Sequence, residues 1–320
     1  MRLLAHTNFN FIKWRWHAVA FSLAVTLAGV GTILARGGLP LGVDFAGGTV
    51  VVAEFAKPTS EDAVRTALGA LSRDAVVQKY GETTKNDVMI RLPMAPGVEQ
   101  GTSLNAEALK IEEALRGSSI GEFKIVSKDI VGPTAGADLK SKGIWATFTA
   151  LGGLLVYIAL RFRFTFAVGA VIATFHDILV TLAFLTWFGY DLSLNVIAAI
   201  LTIAGYSVND TIVVFDRVRE NQRTMRREPL DQVVNKSVNQ TLGRTIITSG
   251  TTFLAVVSLY IFGGEVLRGF AFTMLVGIVT GTYSTVFVAA SIAIILSRRP
   301  TTQVQQTASQ AQQARAKRRA

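Results

Sequence analysis

The sequence has no cysteine. Disulfides, thiolate nucleophiles and cysteine-bound metals are therefore excluded. It has three histidines, His6, His17 and His176, and none lies in an HExxH zinc motif. No GxxxxGK(S/T) phosphate loop occurs, so nothing marks a site for ATP. GVGTIL at 29–34 lacks the third glycine of a dinucleotide fingerprint and falls inside an apolar run. No catalytic residue, metal or cofactor emerges from these patterns, and the reading is that the chain is not an enzyme. Charge is also scarce. Asp, Glu, Lys and Arg make up 17% of the chain, against 50% hydrophobic residues.

What is there is apolarity in long runs. They cover about 17–35, 143–160, 165–188, 192–215, 245–262 and 269–296. At 1.5 Å per residue each crosses a hydrocarbon core of about 30 Å, the shortest only just. The fold class expected is an α-helical membrane protein with six transmembrane helices. A cleaved signal peptide is the rival reading of the first run. The run is long for one, and Arg36-Gly37-Gly38 makes a poor cleavage site, so an uncleaved anchor is expected.

The net charge of +10 is unevenly spread. Residues 36–142 hold 13 Lys/Arg and 14 Asp/Glu, and the rest of the chain holds 19 and 8. The excess flanks the apolar runs, which points to membrane topology and anionic lipid rather than nucleic acid. Segments 1–16, 161–164, 216–244 and 297–320 carry 18 Lys/Arg, whereas 189–191 and 263–268 carry only Arg268. The positive-inside rule then places both termini in the cytoplasm and residues 36–142 outside. Trp14 and Trp16, beside Lys13 and Arg15, suit the interface, as do His6 and His17.

Residues 36–142 form the one sizeable polar region. TVVVAEF (49–55), AVVQKY (75–80), DVMIRLP (87–93) and EFKIVSKDIVG (122–132) read as strands. TSEDAVRTALGAL (59–71) and SLNAEALKIEEALRG (103–117) read as capped helices. The order βαββαβ predicts a small external ferredoxin-like α+β domain. Four segments follow: 1–35, N-terminus and first helix; 36–142, external domain; 143–299, five transmembrane helices; 300–320, a basic, disordered tail ending ARAKRRA. GVDFAGGT (42–49) reads as a tight glycine turn between membrane and domain, with Asp44, Phe45, Gly47 and Gly48 as a candidate hinge. GIVTG (277–281) fits close helix packing.

Ionisable residues inside apolar spans are costly, by about 2.5–3.5 kcal/mol or more each, and mark function by default. Asp210 lies in one such span with Tyr206, Ser207 and Asn209. His176 and Asp177 lie near the middle of another. Counting residues from the basic side puts the two carboxylates about 9 Å apart in depth, which favours a relay over direct contact. Arg244 opens the next run, where it can be drawn in beside Asp210. Two readings stand: reversible protonation of Asp210 tuned by Arg244, or a permanent ion pair that locks two helices. For Asn209 the choice is a polar hinge or a helix–helix hydrogen bond. Asp216 reads as interfacial, offset by Arg219.

Five strings occur in order: GVDFAGGT (42–49), VGPTAGADL (131–139), FHD (175–177), GYSVNDTIVVFDRVREN (205–221) and NQTLGRTIITSGTT (239–252). Together they resemble the SecF type of the SecD/SecF protein-export family, within the resistance-nodulation-division superfamily. The resemblance runs from Asn8 to about Arg299. It implies a subunit of the bacterial cytoplasmic (inner) membrane that works with a SecD-like partner and the SecYEG channel. The pair would use proton-motive force to draw out preproteins late in export. The resemblance assigns Asp210 and Arg244 to a proton path that the partner completes. A half-size exporter of the same superfamily and a non-transporting scaffold are the alternatives.

Overall fold

The computed structural model describes residues 7–73, 75–80, 86–92 and 103–297. His6 and the tail expected at 300–320 lie outside the described residues. Among them, six helices are long and apolar enough to cross a membrane. They are α1 (Arg15–Ala35), α5 (Pro133–Arg161), α6 (Phe164–Phe188), α7 (Leu194–Thr224), α8 (Leu230–Phe262) and a last helix. The last is built from α9 (Gly264–Ser284), a π-turn (Thr285–Ala289) and α10 (Ala290–Ser297).

Helices outlast the apolar runs that reveal them. Pro133 starts α5 at the position where its missing N–H does no harm, so the boundary at 142 falls inside a continuous helix. α7 runs on through its arginines to Thr224, and α8 begins at Leu230, well before the apolar stretch at 245. Asn221 donates to the Ser237 hydroxyl and the Gln240 carbonyl, both at 2.8 Å, and so ties the two extensions together.

Burial ranks the helices. In the apolar windows of α6, α7 and the last helix, 50%, 50% and 67% of residues are buried, against 11–17% in α1, α5 and α8. The inner helices pack through small residues, as expected where lipid gives no hydrophobic drive. A Cβ on Gly277 would stand 2.2 Å from Ile203, and one on Gly281 3.0 Å from the Ser207 side chain. GIVTG therefore sits where α9 meets α7. A Cβ on Gly169 would come 2.8 Å from the Ala289 carbonyl in the π-turn.

The polar region folds as β1 (Gly48–Phe55), α3 (Glu61–Leu68), β2 (Val76–Lys79), β3 (Asp87–Leu92), α4 (Ser103–Arg116) and β4 (Phe123–Val131). The sheet order is β2-β3-β1-β4 with every neighbour antiparallel. This is the ferredoxin-like arrangement the alternating pattern predicts. Val51, Ala53, Val88 and Ile90 of the sheet pack on Val64, Leu68, Ile111 and Leu115 of the two helices. The Ser60 hydroxyl accepts from the Ala63 N–H at 3.2 Å and caps α3.

The sheet domain is fastened to the bundle at the α6–α7 connection. Gly42 N–H donates to the Leu192 carbonyl (2.8 Å), and Leu192 N–H donates to Pro40 (2.7 Å). Arg91 of β3 forms an ion pair with Asp191. Burial lowers the Arg91 pKa from its ordinary value. A short helix the strand-and-turn reading did not anticipate, α2 (Val43–Ala46), follows, and its Asp44 carboxylate accepts from Leu194 N–H at 2.8 Å. Gly47 and Gly48 turn the chain into β1 with φ of 70° and 124°, values that favour glycine.

Candidate functional site: two polar clusters in the bundle

The first cluster centres on Asp177, whose side chain is fully buried on α6. The Ser207 hydroxyl of α7 donates to Oδ2 at 2.5 Å, and Ser284 at the end of α9 donates to the same oxygen at 2.8 Å. His176 Nδ1 lies 3.0 Å from Oδ1. Its Nε2 is buried with no hydrogen-bond partner among the described residues. Thr211 and Thr285 share a bond of 2.9 Å just beyond, at the start of the π-turn. A buried carboxylate is held here by hydroxyls from two other helices, which satisfies it without an arginine.

The second cluster centres on Asp210 of α7, 4% exposed. Its bond comes from Ser249 of α8, a long one at 3.4 Å. Ser249 in turn accepts from Thr282 (3.0 Å) and Tyr206 (3.4 Å). Arg244 is exposed. It lies near enough to Asp210 to act through its charge but makes no hydrogen bond or ion pair with it. Asn209 is also exposed, along the same outward face of α7 as Thr202 and Gly205.

The clusters sit closer in depth than span-end counting implies. Asp177 touches Ser207, which precedes Asp210 by one turn, about 4.5 Å of rise. Counting errs because α6 and α7 do not end level: α7 extends past its apolar run, and α6 does not. No hydrogen bond joins the two clusters among the described residues. They are linked by chain neighbours, Tyr206 with Ser207 on α7 and Thr282 with Ser284 on α9. Asp216 bonds Arg161 of α5 at 2.8 and 3.0 Å, in place of the contact expected with Arg219. Ser249, Thr282 and Ser284 are the site residues that sequence reading missed. Their signal was hydroxyls set in otherwise apolar runs, which is weak, because serine and threonine also bond to their own helix backbone.

Residues 110–299 match the family described as protein export membrane protein SecD/SecF, C-terminal, and residues 32–59 match the SecD/SecF GG motif. This chain belongs to the SecD/SecF family of protein-export membrane proteins. The protein translocase subunit SecF of Rhodothermus marinus is 42% identical over 307 residues, covering 93% of this chain and 96% of that one. The SecF of Escherichia coli O157:H7 is 38% identical over 299 residues, covering 93% and 91%. A crystal structure of SecDF from Thermus thermophilus, a translocon-associated membrane protein, matches with a TM-score of 0.81 at 33% identity. The match covers 93% of this chain and 40% of the SecDF chain. Within the SecD/SecF family, the GG motif is the segment that here fastens the sheet domain to α7.

Proposed function

We propose that this chain is the SecF-type half of a SecD–SecF pair that uses proton-motive force to promote late steps of protein export. It works beside SecYEG in the bacterial inner membrane, with its termini cytoplasmic and its sheet domain outside. The distribution of Lys and Arg supports that orientation. The observation that carries the reading is Asp210: a buried carboxylate with one long hydrogen bond and an unbonded arginine within electrostatic reach. Such a group can gain and lose a proton without breaking an ion pair, whereas a structural lock requires the pair to be made. Asp177 and His176 extend the path deeper, with His176 Nε2 free to take a proton or a water. Asn209 and Arg244, polar and turned outward from apolar spans, support a partner helix on that face. A proton crossing the membrane releases about 2.3 kcal/mol per 100 mV, which is the energy available to move the sheet domain.

The test is preprotein translocation into proteoliposomes holding this chain, a SecD partner and SecYEG, with and without an imposed proton gradient. Asp210→Asn is expected to assemble normally and lose only the gradient-stimulated part. A mutant that responds like wild type makes Asp210 structural and supports the scaffold alternative.

A further inference from the structure

At the end of the bundle opposite the sheet domain, α5 stops at Arg161 and α6 starts at Phe164. A cavity of about 570 Å³ opens between this turn and α7. Its polar wall is Arg161, Arg163, Arg219, Arg223 and Arg226. The last three fall on one helix face by their spacing. Asp216 neutralises Arg161, and Arg226 donates to the Arg223 carbonyl. The guanidiniums of Arg163, Arg219 and Arg223 have no hydrogen-bond or ion-pair partner among the described residues. No acidic side chain lines the cavity.

The other wall is apolar. Phe166 and Phe162 meet Phe215 edge-on at 5.0 and 6.1 Å. Leu160 and Phe164, at the rim, are 85% and 80% exposed. Cations above an aromatic floor, at the depth where apolar helices end, match an amphiphile with an anionic head. An acidic protein segment would use the arginines but leave the floor and rim uncovered. Guanidiniums bind phosphate through paired N–H donors.

We propose that this cavity binds the phosphodiester headgroup of an anionic phospholipid, with an acyl chain lying over Leu160 and Phe164. The site is separate from both polar clusters, and its occupancy is read without translocation, so it stands or falls apart from the export reading.

The full chain, purified with its SecD partner, is delipidated and offered phosphatidylglycerol or phosphatidylcholine, and bound lipid is counted by native mass spectrometry. Wild type should hold phosphatidylglycerol at least about tenfold more tightly, since each surface arginine adds to anionic-lipid affinity. Arg163→Ala with Arg219→Ala and Arg223→Ala should lose that preference. The corresponding triple lysine variant should keep most of it, and Lys13→Ala with Lys236→Ala should keep all of it. Inorganic phosphate at millimolar concentration should fail to displace the lipid; displacement would assign the site to free phosphate and overturn the lipid reading. Equal binding of the two lipids, or an undiminished preference in the alanine variant, also overturns it. If the alanine variant does not fold, photoreactive phosphatidylglycerol on wild type decides. Labelling around Leu160–Phe164 supports the site, and labelling confined to other segments overturns it.

Discussion

Gly277 leaves no room for a methyl group: the added carbon would meet three atoms of the Ile203 side chain, which is itself buried. Gly277→Ala should therefore destabilise the bundle by about 1–3 kcal/mol, as overpacking does. Adding Ile203→Ala should restore much of it, and thermal melting of the four variants in detergent checks the coupling. No rescue would mean that the close approach is not what limits the site. At this scale the sequence was readable where residue type alone is unusual. Asp177, His176 and Asp210 stood out because charge inside an apolar run is rare. Ser249 and Ser284 did not, because a hydroxyl in a helix is ordinary until its partner on another helix is seen. The position of Arg244 was half legible. Its sequence neighbourhood placed it near Asp210, but whether a long side chain turns inward depends on what covers the opposite face.

Between elements, Glu112 of α4 joins Lys128 of β4 at 2.7 Å and Arg116 at 2.6 Å. The Lys128 hydrogen bond, with Arg116 adding to it, holds the Glu112 carboxyl below its ordinary pKa. A carboxylate depressed on folding contributes stability above its unfolded pKa, about 4.3, and loses it as pH falls through the lower folded value. The side chains are partly exposed, so the contribution is about half a kcal/mol or less. Melting of the sheet domain from pH 7 to pH 3 should show a small acid loss in wild type that Glu112→Gln removes. An identical pH slope in both would sink the assignment. Strands and helices of this domain were legible because each is short and strictly patterned. The helix ends at Pro133, Thr224 and Leu230 were not, because hydropathy reports where lipid stops and says nothing about where backbone hydrogen bonding stops.

Across the molecule, α7 connects regions that the sequence keeps apart. Asp44 of the GG segment bonds its first turn, Asp210 lies in its middle, and Arg219 and Arg223 face the basic cavity near its far end. Pairing of Gly42 with Leu192 sets the sheet domain against that first turn. Gly47→Val with Gly48→Val forces side chains into positive-φ backbone at the only described link between α2 and β1. The double variant should insert and pair with SecD yet lose most export activity, measured as translocated preprotein. Normal export would show that the joint need not bend. Sequence motifs announced the GG segment and Asp210 separately; their attachment to one helix required the fold.

The π-turn at Thr285–Ala289 amounts to one residue more than a regular helix would use over the same length. It shifts the angular phase of everything after it. Deleting a single residue there would restore an unbroken α-helix and rotate Ala290–Ser297 by about 100°. Ala290, Ala293 and Ile294, now buried in the core, would swing toward lipid. The chain thus tolerates substitutions in this segment far better than changes of length, and a reading frame kept to the residue is part of its structure.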